Sequence, residues 1–191
     1  MKKEEIKQAA LQLFVEKGFT ATALSEIAKK VGIKTPSLYA HFPSKDALYL
    51  HIYREQLQHQ LHFTQHIMKL MQETSVYERL ETLSFSFLQA DFGEEQTLFI
   101  RRSLFFPPPH LKEIIKQEFV KVERLISRDL TALFQEGMDN GELKRQSVEG
   151  VLAFFYCVFD GVVVEQYYYD DQEYEERKKN SWYMFWEAIK R

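Results

Sequence analysis

The segment that most constrains this chain is residues 22–49, which predicts two short helices joined by a tight turn and followed at once by a third helix. Between Leu24 and Val31 the apolar residues recur at the three-and-four spacing of one buried helical face, and Thr22 is the predicted N-cap. Gly32 is predicted to end this helix, because glycine enters the left-handed conformation of a helix C-terminus without steric cost.

A second short helix is predicted over residues 35–42. Thr35 offers a capping hydroxyl, and Pro36 stands at the first helical position, where its missing N–H is not needed. Leu38 and Phe42 lie four residues apart on the inner face, and a proline then ends the helix. The side chains that remain to project outward are Lys34, Thr35, Ser37, Tyr39 and His41. This arrangement predicts a helix-turn-helix with residues 35–42 as its recognition helix.

The charge of the chain is unevenly distributed. Residues 1–50 contain eight lysines and five acidic residues, a balance of +3, whereas the whole chain carries −3. A locally basic face on an acidic body suits DNA binding, because phosphates attract the lysines locally while the body stays soluble. A merely solvated polar face is the alternative for the lysines taken alone.

Side chains at the N-terminal end of a recognition helix reach base edges in the major groove. Lys34 can donate to guanine O6 and N7, and the hydroxyls of Thr35 and Ser37 can donate to or accept from several bases. The amides that open the following helix can hold a phosphate at the positive end of the helix dipole.

Several motifs in this segment resemble the N-terminal domain of TetR-type transcriptional repressors, over roughly residues 4–50. They are Gly18-Phe19, the helix from Thr22 to Gly32, Pro36-Ser37-Leu38-Tyr39-Ala40-His41-Phe42, and Ser44-Lys45-Asp46-Ala47-Leu48. The resemblance implies that Tyr39 and His41 contact phosphates or bases and that Lys45 contacts a phosphate. It also implies flanking backbone contacts by Thr22 and Ser25. Together the predicted DNA-binding residues are Thr22, Ser25, Lys34, Thr35, Pro36, Ser37, Tyr39, His41 and Lys45; for Thr22 and Thr35, capping is an alternative role.

The resemblance also implies an all-α fold of about nine helices, and the scarcity of glycine and proline favours helices throughout. Residues 1–46 would form the helix-turn-helix domain and residues 47–191 a helical regulatory and dimerisation domain. The implied function is that of a ligand-responsive regulator, a repressor by resemblance. It would bind a palindromic DNA operator as a homodimer and be released by a small apolar or aromatic effector.

The penultimate predicted helix carries a row of mostly small residues at spacings of three and four. They are Gly150, Ala153, Cys157, Gly161 and Val164. Small residues allow a second helix to approach closely. Because TetR-like proteins dimerise through their last two helices, we predict a dimer interface formed by this row together with Trp182, Phe185, Trp186 and Ile189. A partner helix within the same chain is the alternative, and Cys157 is otherwise read as a small core residue.

An aromatic-lined cavity is predicted for the effector, since the chain contains sixteen Phe and ten Tyr. The candidate lining residues are Phe63, Phe87, Phe99, Phe105, Phe119 and Phe155, for each of which a core position is the alternative. Asp160, an acid within an apolar run, is predicted to pair across the dimer, ligate a cation or bind a polar ligand group.

Other functions are less well supported by the sequence. His51, Glu55, His59, His62 and His66 share one arc of the long fourth helix, so a metal-responsive regulator is the alternative function, although no metal ion or other cofactor is predicted. No nucleophile elbow, phosphate loop or metalloprotease signature indicates an enzyme. A helix-turn-helix adaptor for other proteins is a third possibility. A single cysteine and the absence of an apolar leader or spanning segment predict a cytoplasmic location without membrane association.

Overall fold

The computed structural model describes residues 2–88 and 93–191, apart from the side chains of Phe87, Leu88 and Glu94. Helices dominate these ranges, and the predicted all-α fold is confirmed. The α-helices are α1 Lys2–Ala21, α2 Leu24–Val31, α3 Thr35–Tyr39, α4 Lys45–Leu70, α5 Val76–Leu88, α6 Glu94–Phe105, α7 Lys112–Asn140, α8 Val148–Glu165 and α9 Asp171–Ile189, and Pro109–Leu111 forms a 3₁₀ turn. Within the described ranges, none of the helices combines the length and apolar character needed to cross a bilayer.

The chain divides into two compact units. Unit 1 comprises Met1–Leu61 and Asp91–Glu123, and unit 2 comprises His62–Ala90 and Arg124–Arg191. Helices α4 and α7 therefore each contribute residues to both units. These units describe packing, whereas the predicted boundary between residues 46 and 47 describes a division of function, and that boundary stays a prediction.

Unit 1 is built around α1, which packs against α2 and α6. The ring of Phe14 lies 5.0 Å from that of Tyr49 and 6.2 Å from that of Phe99, and all three side chains are buried. The Tyr49 hydroxyl is 2.7 Å from the hydroxyl of Ser103 on α6. Burial accordingly raises the pKa of Tyr49. This aromatic cluster forms the core of unit 1, which also contains the short helices α2 and α3.

Helix α1 is interrupted at Gly18. Gly18 has φ 81° and ψ 170°, a conformation that residues with a Cβ rarely adopt. The guanidinium of Arg102 lies over it, so that a Cβ at this position would come within 2.8 Å of Nη2. Arg102 also donates to the carbonyl of Val15, at 2.9 Å. The break lets the chain leave α1 and turn back toward α2.

Unit 2 is centred on an aromatic cluster between α8 and α9. Phe185 lies 5.6 Å, ring to ring, from both Phe155 and Phe159, and its ring is 6.1 Å from that of Trp182. All four side chains are buried. Phe155, Phe159 and Val162 are buried, so they mark the core-facing side of α8.

Candidate nucleic-acid interface

Helix α2 begins one residue later than predicted, with Ala23 as its N-cap. The carboxylate of Glu26 accepts from the Ala23 backbone N–H at 3.1 Å, which satisfies one of the free amides at the helix start. The hydroxyl of Thr22 instead donates to the carbonyls of Leu13 and Gly18, at 3.1 and 2.8 Å. Thr22 is only 1% exposed. The capping prediction for Thr22 is therefore wrong, and its side chain offers almost no surface to a phosphate.

The turn after α2 has the predicted geometry. Gly32 adopts the left-handed conformation, with φ 71° and ψ 33°. Its N–H and that of Ile33 donate to the carbonyls of Lys29 and Ala28, at 3.2 and 2.9 Å, which closes the end of the helix. A Cβ at Gly32 would meet nothing within 4 Å, so conformation alone demands glycine there.

Helix α3 is short and presents the predicted face. Its N-cap is Lys34 without a side-chain hydrogen bond, so Thr35 lies inside the helix and its predicted capping role is wrong. Beyond Tyr39 the chain continues as a turn in which the N–H of Phe42 donates to the carbonyl of Leu38 at 3.0 Å. Leu38 and Phe42 are buried, as expected from their spacing. Exposed around them are Lys34, Pro36, Ser37, Tyr39 and His41, with Thr35 partly exposed.

The lysines of residues 1–50 fall into two classes. Four have a fixed partner: Lys2 pairs with Glu5, Lys7 with Glu4 and Glu55, Lys17 with Glu26, and Lys45 with backbone carbonyls. Among the residues that the structure describes, no carboxylate pairs with Lys3, Lys29, Lys30 or Lys34, which are all exposed. These four ammonium groups are available to an external anion.

The ion pair between Lys17 and Glu26 neutralises the negative charge of Glu26 near the exposed lysines. The Lys17 ammonium donates to Glu26 at 2.7 Å, and that hydrogen bond, followed by the one from the Ala23 N–H, lowers the pKa of Glu26. The same hydrogen bond raises the pKa of Lys17. Glu26 therefore stays charged, but its charge is matched locally.

Lys45 is held by the protein itself. Its ammonium donates to the carbonyls of Phe19 and Thr22, at 2.8 and 2.9 Å, and lies 4.3 Å from the centre of the Phe19 ring. Two of its three donors are thus used to join the start of α4 to the segment between α1 and α2. This geometry gives Lys45 a positioning role that the sequence did not indicate.

Residues 6–52 match the model of the family described as bacterial regulatory proteins, tetR family. The negative transcriptional regulator IcaR of the Staphylococcus aureus biofilm operon icaADBC is 51% identical over 47 residues, 25% of this chain and 25% of IcaR. A solved tetR family transcription regulator from Shewanella sp. PV-4 is 24% identical with a TM-score of 0.67, covering 100% of this chain and 99% of its own. Over residues 6–52 the chain is therefore similar to regulators of the TetR family, and its fold resembles that of a solved family member.

A second solved structure extends the likeness of fold. FadR of Bacillus subtilis, solved in complex with stearoyl-CoA, has a TM-score of 0.72 at 17% identity, covering 95% of this chain and 96% of FadR. At this identity the likeness shows the fold alone. The curated relatives are matched over 17% and 25% of their own length, so the activities of the whole proteins are not carried over by these matches.

The outer surface of α8 and α9 is only partly as predicted. On α8 the small residues Gly150, Ala153, Cys157 and Gly161 are exposed and Val164 is partly exposed, so Cys157 is a surface thiol and its core assignment is wrong. On α9, Trp182, Phe185 and Ile189 are buried in the core, and Trp186 is half-buried. The three buried residues cannot present a surface to a second chain, and that part of the predicted interface is wrong. The exposed apolar side chains are instead Phe154, Tyr183 and Met184.

The predicted aromatic lining residues do not share one environment. Phe99 is buried in unit 1 and Phe155 in unit 2, each within its own aromatic cluster. Phe105 is 65% exposed and belongs to neither buried cluster, so its predicted lining role stays a prediction. Phe63 and Phe119 are partly exposed. Phe87 lies outside the described side chains.

The histidines of α4 do not form a metal-ligand group. His59, His62 and His66 are exposed, Glu55 is paired with Lys7 at 2.5 Å, and the ring of His51 packs 5.4 Å from that of Phe42. Across the described ranges, no three His, Cys, Asp or Glu side chains come together in a group that could hold a metal ion. No observation on the described residues therefore favours the metal-responsive alternative.

Sequence reasoning missed two sets of residues. Lys3, Lys29 and Lys30 were not assigned as contacts. Acids three residues away mark Lys2 and Lys7 as paired and leave Lys3 without a partner, but Glu26 stands three and four residues before Lys29 and Lys30, so spacing alone could not identify those two. Tyr183 and Met184 were missed because the stripe of larger aromatic residues on α9 drew the interface onto the core-facing side.

Proposed function

We propose that this chain is a DNA-binding transcriptional regulator that acts as a homodimer on a palindromic operator. A repressor is the favoured form, because IcaR, the relative matched through the helix-turn-helix, is a negative transcriptional regulator. Functionally, residues 1–46 read the DNA and residues 47–191 carry dimerisation and effector response. The chain is proposed to act by binding rather than by catalysis, and to act in the cytoplasm.

One observation carries this proposal: the recognition helix presents an exposed polar face beside lysines that no carboxylate neutralises. Lys34 stands at the N-terminal end of α3, and Ser37 is exposed within it. Tyr39 is 53% exposed although it is aromatic. A buried inner face with an outer face of hydroxyl, aromatic and ammonium groups suits insertion into a major groove lined by phosphates.

The contacts follow from this face. Lys34, Thr35 and Ser37 are proposed to reach base edges, and Pro36, Tyr39 and His41 to pack against bases or the backbone. Ser25, exposed at the second position of α2, is proposed to contact the flanking backbone. Thr22 and Lys45 support these residues from within the protein, through their bonds to backbone carbonyls.

A mobility-shift titration tests the proposal. The protein is incubated with the DNA upstream of its own coding sequence and with a scrambled duplex of equal length. We expect tighter binding to the upstream DNA, and Lys34→Ala should weaken that preference by about 1–3 kcal/mol. Lys116→Ala, which removes an exposed lysine from α7, is the matched control and should leave binding unchanged. Equal affinity of the wild-type protein for both duplexes would refute the proposal.

Dimerisation is proposed to use the outer face of α8 and α9. Gly161 and Gly150 are exposed, and a Cβ built on Gly161 would meet nothing within 4 Å of the chain. Phe154, Tyr183 and Met184 add exposed apolar surface on the same two helices. A dimer would supply two recognition helices for the two half-sites of a palindromic operator.

A small apolar effector is proposed to release the protein from DNA. The support is the TetR fold shared with FadR, which was solved with stearoyl-CoA. Stearoyl-CoA is the first probe: we expect it to raise the melting temperature and to dissociate the complex with upstream DNA. Free CoA is the control for binding through the polar headgroup alone, and a lack of response to stearoyl-CoA would refute an acyl-chain effector.

A further inference from the structure

We propose that Lys3, at the start of α1, is a further DNA ligand that binds a backbone phosphate beside the C-terminal end of the recognition helix. This inference rests on the proposed function and adds a residue outside the helix-turn-helix to its DNA contacts.

The three lysines of the first two turns have different environments. Lys2 pairs with Glu5 at 2.8 Å, and the buried Lys7 pairs with Glu4 at 2.6 Å as well as with Glu55. The carboxylates near the N-terminus are therefore already engaged by Lys2 and Lys7. Lys3 has no carboxylate partner among the described residues, and its ammonium lies 5.4 Å from the centre of the Phe42 ring.

The position of Phe42 links Lys3 to the recognition helix. Phe42 is buried and follows directly after the exposed His41, in the turn that ends the recognition segment. The Lys3 ammonium over this ring therefore places a positive charge at the C-terminal end of that segment. Lys34 places another at its N-terminal end. A helix in the major groove is bordered by phosphates on both strands, so positive charges at its two ends match the two backbones.

The neighbouring imidazole does not supply this charge. His51 packs against the Phe42 ring at 5.4 Å and is half-buried. Burial, followed by the charges of Lys3 and Lys7, lowers the pKa of His51 against the opposing charges of Glu55 and Glu4. The lowered pKa favours the neutral imidazole, so the ammonium of Lys3 is the positive charge beside Phe42.

The test compares Lys3→Gln with Lys2→Gln by fluorescence anisotropy on upstream DNA at several salt concentrations. Each phosphate contact contributes about 0.9 to the slope of the logarithm of the binding constant against the logarithm of the salt concentration. Relative to 1 M salt, that slope corresponds to about eightfold in affinity at 0.1 M salt. We expect Lys3→Gln to lose about this slope and affinity per subunit, equally on upstream and scrambled DNA. Lys2→Gln, whose charge is already matched by Glu5, should change both much less, and Lys3→Arg should restore the wild-type slope.

The possible outcomes separate this inference from the proposed function. An unchanged slope in Lys3→Gln overturns the phosphate contact, even if affinity falls, because the loss would then come from altered packing on Phe42. Equal losses in Lys2→Gln and Lys3→Gln also overturn it, since they would indicate a diffuse effect of N-terminal charge. A wild-type protein that binds no DNA would refute the proposed function, and the contact with it.

Discussion

The recognition face of unit 1 and the α8–α9 face of unit 2 were predicted from sequence with different success. In the recognition segment, the residues assigned inward are buried and those assigned outward are exposed or partly exposed. On α8 and α9, the small residues of α8 are exposed as assigned, but the aromatic residues of α9 face inward. In this chain, the turn residues and the single apolar side of α2 and α3 indicated the orientation of these helices more reliably than the spacing of apolar residues did for α9.

The two predictions differed in success because the helices differ in how apolar residues are distributed around them. Helices α2 and α3 each have one apolar side; Gly32 closes α2, and α3 ends at Tyr39, before Pro43. Helix α8 is apolar nearly all round, so its spacing identifies two faces without saying which is internal. For α9 the large residues were assigned to a partner chain, yet large aromatic residues bury the most area and therefore dominate the core of one chain first.

The largest expected effect is on the association of unit 2. Gly161→Leu places a side chain where the chain itself has open space, so the folded monomer should tolerate it, and leucine favours the helix. A partner helix approaching that point would be displaced. We expect a monomer in analytical ultracentrifugation and operator binding weaker by about 10²–10⁴-fold, because the second half-site is no longer linked.

The control for Gly161→Leu is Ala132→Leu, a similar enlargement at an exposed position on α7. Its protein should remain dimeric and bind DNA normally. A dimer in both variants would show that the α8 face is not the interface and that the chain dimerises through another surface.

A second large effect distinguishes core from surface on α9. Phe185→Ala should lower the free energy of unfolding by about 3–5 kcal/mol, because it removes a buried ring that packs on Phe155 and Phe159. Met184→Ala, one residue away and 64% exposed, should leave urea unfolding of the monomer nearly unchanged while weakening dimerisation. Equal destabilisation by both would contradict the assigned orientation of α9.

Much of the fold was predictable, because the nine α-helices of the described residues are separated by glycine, proline and polar turns that the sequence displays. The helix-turn-helix was predictable in its elements and in its exposed face. What could not be predicted were contacts between distant segments. Thr22 and Lys45 looked like a cap and a phosphate ligand, yet both bind carbonyls near the end of α1. Such bonds depend on how the chain folds back, which helical periodicity does not encode.

The next prediction concerns that correction. Lys45→Met removes the donors to the Phe19 and Thr22 carbonyls and should lower the free energy of unfolding by about 1–2 kcal/mol. The salt dependence of DNA binding should stay close to that of the wild-type protein. Lys30 is exposed and has no carboxylate partner among the described residues. Lys30→Met should therefore reduce the salt dependence of DNA binding and leave the free energy of unfolding unchanged. A smaller salt slope with unchanged stability in Lys45→Met would restore its predicted phosphate contact.

A smaller effect is expected at Gly32, in the turn between α2 and α3. Gly32→Ala meets no steric neighbour, so its cost is the left-handed backbone alone, about 1 kcal/mol of unfolding free energy. Gly32→Asn should cost less, because asparagine tolerates that conformation. Thermal unfolding of both variants measures the difference. Equal losses would indicate that side-chain volume, and not backbone conformation, sets the requirement for glycine.

The smallest expected effect is a pH dependence at the corner between α8 and α9. Arg177 donates to Glu165 through two hydrogen bonds, at 2.7 and 2.5 Å, and these bonds lower the pKa of Glu165. Since the folded pKa lies below the unfolded value of about 4.3, the stabilisation is present above that value and is lost as pH falls through the folded pKa. Glu165→Gln should therefore reduce stability to urea at pH 7 but not at pH 2, whereas Glu176→Gln, at an exposed glutamate on α9, should change neither. Because the pair is solvent-accessible, the change should be smaller than those above, and dimerisation should persist.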